Sequence, residues 1–139
     1  MSSREIGDEA EGELASHARG RGWKVVRSLG SRTSCDLLVT KPPKYGGFEK
    51  QAFMFQVKST GDNDTYYIDP TALRDLEEHA AEADAAPLLA VRFGNETFRL
   101  YNILALGDRP IDLLLHPDRR GRKLIRVEKS KGMRLERVL

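Results

Sequence analysis

Cysteine is almost absent: Cys35 is the single one in 139 residues. An intrachain disulfide and a cysteine-ligated zinc cluster are therefore excluded. Long apolar runs are absent too, and none approaches the roughly 20 residues of a membrane-spanning helix. The N-terminal stretch MSSREIGDEAEGELA is acidic and polar. That fits neither a signal nor a transit peptide, so the expected site of action is the cytoplasm, with no membrane partner. There is no internal repeat and no low-complexity segment. The three histidines, His17, His79 and His116, share no spacing that would mark a metal site.

What is present is an ordinary globular composition, 40% hydrophobic and 32% charged. A chain of this length suits one domain, residues 1–139, with enough material for a real core. Net charge is only +2, yet it is unevenly spread. Residues 116–139 carry nine Lys or Arg against three Asp or Glu, while the remaining chain carries 14 basic and 18 acidic residues. A basic segment on an acidic body reads either as a solvated surface strand or as a phosphate-contacting one.

Apolar spacing sets the expected elements. Ile6, Ala10, Leu14 and Ala18 recur every four residues and predict a helix over Glu5 to Arg21, with Gly22 as its terminating glycine. WKVVRSLG, SCDLLVT and QAFMFQVKS read as three strands, TYYI as a short fourth. KPPKYGGFEK is a loop. Asp69 and Pro70 punctuate the start of a second helix, TALRDLEEHAAEAD, which Pro87 is expected to stop. PLLAVRF and TFRLYNI form a hairpin around Gly94-Asn95; PIDLLLH reads as a short helix and KLIRVEK as a last strand. The expected fold class is α/β, a central mixed β-sheet flanked by helices.

The stretch AFMFQVKST carries the chemistry. Side chains alternate across a strand, so Phe53, Phe55 and Val57 face one side, expected to be the core, while Met54, Gln56 and Lys58 face the other. Plain polar-out alternation gives the same pattern. Asp36 adds weight: in SCDLLV it shares a face with Ser34 and Leu38, and pairing of the two strands brings it near Gln56 and Lys58. A carboxylate, an amide oxygen and a backbone carbonyl such as that of Val57 are hard oxygen donors that suit Mg²⁺ or Mn²⁺ rather than zinc. A lysine beside them stabilises developing phosphorane charge or positions a water. On the first helix Glu11 and Glu13 flank the apolar stripe on opposite sides, and either can turn toward the sheet.

GDEAEGELASHARGRGWKVVRSLGS, then CDLLV, then QVKST, together resemble the archaeal-type Holliday junction resolvases of the PD-(D/E)xK nuclease superfamily. The resemblance runs on through YYIDPTALRDLEEHAAEADAAPLLAVRF and covers Gly7 to Tyr101. It implies the superfamily's restriction-endonuclease-like core and a Mg²⁺-dependent endonuclease (Mn²⁺ substituting) that resolves four-way DNA junctions by paired symmetric nicks. It implies Glu11 rather than Glu13 as the helical glutamate, Ser31 as the serine after the first strand, Asp36 as the metal aspartate, and Gln56 and Lys58 as the E-x-K pair. The metal set is then Asp36, Gln56, Glu11 and the Val57 carbonyl, with Lys58, Glu11 and Ser31 in catalysis. DNA-contacting candidates are Arg27 and Arg32 beside the site, and Arg119, Arg120, Arg122 and Lys123 in the basic segment. Expected partners are branched DNA and a second copy of the chain, because two symmetric nicks need two sites.

The sequence departs from the family at Gln56, where glutamate is usual. An amide oxygen still coordinates a cation but brings no charge, so affinity for a dication falls, by about a few kcal/mol where screening is poor. Mrr-like restriction enzymes carry the Q-x-K version. The loop TKPPKYGGFEKQ is longer than the family's, and the basic segment has no obvious counterpart. Two rivals follow: a Mrr-like restriction or repair nuclease, and a weakly catalytic module that only holds branched DNA.

Overall fold

The computed structural model describes residues 3–27, 37–41, 51–94, 97–103, 113–117 and 123–139. Its first element, α1 (Ser3–Gly20), buries the stripe of Ala10, Leu14 and Ala18 completely. Gly22 terminates it at φ 89°. The Trp23 amide donates to the Ala18 carbonyl at 3.0 Å and the Gly22 amide to Arg19 at 3.1 Å. This is the paired 6→1 and 5→2 closure that a left-handed residue permits.

The chain then builds β1 (Lys24–Arg27), β2 (Leu37–Lys41), β3 (Gln51–Thr60) and β4 (Thr65–Ile68). Helix α2 (Pro70–Glu82) follows, then β5 (Ala86–Phe93), β6 (Thr97–Asn102), β7 (Leu113–Pro117), β8 (Lys123–Glu128) and a two-residue β9 (Met133–Arg134). Single 3-10 turns cover Lys129–Lys131 and Leu135–Arg137. Among the described residues the strands form two sheets. One has the order β1-β2-β3-β5-β6-β9 and the other β4-β8-β7. Only β3 and β5 pair in parallel; every other described pairing is antiparallel. The parallel step needs a long crossover, which β4 and α2 supply.

The larger sheet is mixed and covered on both faces. One apolar cluster joins α1 to Leu37, Val39, Phe55, Val57, Leu88, Ala90 and Leu100. The other joins α2 and the second sheet to Met54, Leu89, Val91, Phe93 and Tyr101. The alternation expected for β2 and β3 holds, but the second face of β3 is core as well, as in a central strand flanked by a parallel neighbour. Three sequence expectations change. PIDLLLH is not a helix at its described end, since Leu113–Pro117 forms β7 against β8. TYYI is a strand of a separate sheet. Helix α2 ends before Pro87: Asp84 takes φ 53°, and the Ala85 amide closes on the Ala80 carbonyl at 2.9 Å, while Pro87 lies inside β5. Of the Gly94-Asn95 turn, Gly94 is described, at φ 61°, and β5 and β6 do pair antiparallel. Asn95 lies outside the described residues.

Candidate active site

Strand β3 is hydrogen-bonded on both sides, to β2 and β5, so its side chains are held in fixed directions. Phe55 and Val57 point toward α1. Gln56 and Lys58 therefore point to the α2 face, beside Met54. Gln56 is only 6% exposed, whereas Lys58 is half-buried where the strand leaves the core. The Gln56 Oε1 is buried and meets no hydrogen-bond partner among the described residues. A neutral amide oxygen left so costs about 1–3 kcal/mol. It is a hard oxygen donor, so the residue fits a Mg²⁺-type site in chemistry. Among the described residues no three His, Cys, Asp or Glu side chains converge to hold a metal. A metal set therefore needs Asp36, which with Ser31 and Arg32 lies outside the described residues. Val57 sits between Gln56 and Lys58 with its side chain in the α1-side core.

Helix α1 covers the opposite face of β3, and its glutamates have different partners. Glu11 Oε2 accepts from Arg27, at the end of β1, at 3.2 Å. Arg27 also reaches the Asp8 carbonyl at 3.5 Å. Glu13 is taken up elsewhere: with Glu9 it clamps Arg92, at 2.9 and 3.3 Å. The described contacts thus unite Glu11 with Arg27, while Gln56 and Lys58 share one face of β3 by strand alternation. They do not bring Glu11 onto the Gln56 face.

Arg92 is the residue that sequence reasoning missed. It lies on β5, is 3% exposed, and also donates from Nε to the Ser59 hydroxyl at 3.3 Å. A lone arginine inside the apolar run PLLAVRF was the available signal. With two helical carboxylates on one guanidinium, it fixes how α1 is rotated against the sheet. Of the basic segment, Lys123 opens β8, while Arg119, Arg120 and Arg122 lie outside the described residues. His17 and His79 sit on the two helices and His116 in β7, in separate elements. No described helix is long and apolar enough to cross a membrane.

A family model for archaeal Holliday junction resolvases (Hjc) matches residues 2–139. No curated protein matches the chain. Among solved structures, Archaeoglobus fulgidus Hjc, a Holliday junction resolvase from an archaeal hyperthermophile, is similar with a TM-score of 0.69. It is 15% identical, over 96% of this chain and 94% of that one. The bacterial homing endonuclease I-Ssp6803I gives a TM-score of 0.51 at 18% identity, over 92% and 78% of the two chains. At these identities the structural matches speak for a shared nuclease-like fold. The family match spans nearly every residue, and on it the chain belongs to the archaeal Holliday junction resolvase family.

Proposed function

We propose that this chain is a structure-selective DNA endonuclease that resolves four-way junctions by metal-dependent phosphodiester hydrolysis. The observation that carries the reading is the buried Gln56 oxygen, without a partner among the described residues, two residues before Lys58 on one face of a central strand. Asp36, Gln56 and the Val57 carbonyl would hold Mg²⁺, or Mn²⁺ in its place. The ion, when bound, lowers the pKa of its water and offsets charge on the scissile phosphate. Asp36 joins this set because Leu37, the residue after it in the chain, pairs with Phe55, the residue before Gln56.

Lys58 emerges at the exposed edge of that face, where its ammonium positions the attacking water or stabilises charge on the phosphorane oxygens. Glu11, held by Arg27, closes the α1 side of the site; in this role it positions rather than ligates. Ser31 and Arg32 belong to the same stretch between β1 and β2 and are proposed to face the phosphate. One chain carries one such site, so paired nicks call for a two-fold homodimer. A junction has no fixed sequence, so recognition rests on shape and backbone charge.

Cleavage of a four-way junction, compared with a linear duplex of matched sequence, in Mg²⁺ and in EDTA, tests the proposal. Paired cuts in the junction with Mg²⁺, none in EDTA and little in the duplex are expected. Equal cutting of the duplex points to a Mrr-like nuclease. Tight junction binding without cutting points to a binding module.

A further inference from the structure

The edge of the larger sheet places two arginines directly opposite each other. Arg99 on β6 and Arg134 on β9 are register partners, so their side chains rise from the same face of the sheet. Like charges in that arrangement repel, and among the described residues no carboxylate comes within ion-pair distance of either. The pair is also held close. The backbone passes through Gly132 against Arg99 and Tyr101, so near that an added Cβ would lie 2.6 Å from the Arg99 Cβ. Tyr101 pins the same turn by donating its hydroxyl to the Glu128 carbonyl at 2.7 Å.

A cleft of about 340 Å³ opens beside Arg99, lined also by Asp64, Thr65, Glu128, Lys129 and Ser130. It offers two cations and two hydroxyls to a tetrahedral anion. Glu128 is already engaged by Arg126 at 3.3 Å. Asp64 is a further carboxylate in the lining. The 3-10 turn adds Lys131 to the same exposed edge.

We propose that Arg99 and Arg134, with Lys129 and the Thr65 and Ser130 hydroxyls, form a backbone-phosphate site for a DNA arm, separate from the Gln56–Lys58 face. This rests on the nuclease reading above and adds to it where the arm lies. Register gives the position: Lys58 pairs with Val91, Val91 with Arg99, and Arg99 with Arg134, one row across four strands. Val91 is fully buried under the second sheet, so the row is exposed at its two ends and closed in the middle. At about 4.8 Å per strand step, Arg134 stands roughly 14 Å from Lys58, about four phosphates along one strand at 3.4 Å each. An arm cut at the Lys58 end would thus pass around the second sheet to be gripped at the Arg134 end.

The test is salt-titrated binding of a four-way junction and of a linear duplex by the full chain, with melting of each variant followed in parallel. The Arg99→Gln/Arg134→Gln double variant should lower the salt slope by about two, at roughly 0.9 per phosphate contact. It should melt no lower than wild type, because a repulsive pair has gone. Arg134→Glu should melt higher, through a new cross-strand ion pair with Arg99, yet bind more weakly than Arg134→Gln. A merely structural pair would not separate stability from binding in this way. A wild-type slope and affinity in the double variant overturns the inference alone, and is the outcome expected if the edge receives an acidic protein instead. A wild-type chain that binds neither DNA overturns the nuclease reading and this inference with it.

Discussion

A side-chain oxygen buried without a donor is expensive to keep, so Gln56 asks for a reason at the level of one residue. In the proposed function, coordination of a cation would supply one, and Lys58 two positions on would give the phosphate its counter-charge. Lys58 is half-buried at the end of the core, so Lys58→Ala should fold normally. It should lose junction cleavage by at least about 100-fold, the scale of removing one transition-state donor, while retaining junction binding; single-turnover cleavage beside band-shift binding checks both. Wild-type cleavage would remove Lys58 from the mechanism. The alternation of AFMFQVKST made these two side chains legible. Polarity alone did not show that their face is buried, because that depends on α2 and the second sheet, which no local pattern of β3 encodes. Nor did it separate the surroundings of Glu11 and Glu13: the partner of Glu13 is Arg92, about 80 residues away in the chain. Arg92→Met keeps the volume but removes charged hydrogen bonds worth roughly 1.5–3 kcal/mol each at most. Its glutamate partners are half-exposed, so solvent screening reduces this to about 2 kcal/mol overall, read by urea denaturation.

At the scale of elements, both helices close in the same way with unequal residues. Gly22 takes the left-handed position after α1 at no steric cost, while Asp84 takes it after α2 at φ 53°. Asp84→Gly should therefore stabilise the fold by about 0.5–1 kcal/mol, seen as a higher urea midpoint at unchanged m. The start of α2 was readable from sequence: Asp69 accepts from the Thr71 amide at 2.8 Å and Pro70 opens the helix. Its end was not, because a left-handed aspartate carries no signal as plain as a glycine. The turn into β4 is held by Asp62, whose carboxylate accepts from the Asp64 and Thr65 amides at 2.7 and 3.0 Å. Those amides, Asp64 first, hold its pKa below the usual carboxylate value. The folded value is the lower one, so this contribution is present above the unfolded pKa and lost as pH falls through the folded one. The protection factors of the Asp64 and Thr65 amides against exchange should fall as pH drops through that acid range and stay constant above it. Reading LLLH as helical failed because an apolar run of four has no period; pairing with β8 decides it.

For the whole molecule, the arrangement is a strand core that two clusters bury from opposite sides, with the proposed chemistry at the strand end that leaves both. The α/β class, the order of the first elements and the Gln56–Lys58 pair were all legible in the sequence. The division into two sheets, the Arg92 clamp and the arginine row at the sheet edge were not, since each joins strands distant in the chain. The central claim is that Gln56 and Lys58 frame a cation site that serves phosphodiester cleavage, with an amide where a carboxylate would bind more tightly. Titration of Mn²⁺ into wild type, Gln56→Glu and Gln56→Ala, followed by the Mg²⁺ dependence of junction cleavage on the same samples, tests it most directly. The account predicts tightest binding in Gln56→Glu, intermediate in wild type and weakest in Gln56→Ala, with half-maximal cleavage at Mg²⁺ concentrations in the same order. Equal Mn²⁺ affinity in all three, or complete loss of cleavage in Gln56→Glu, would contradict it.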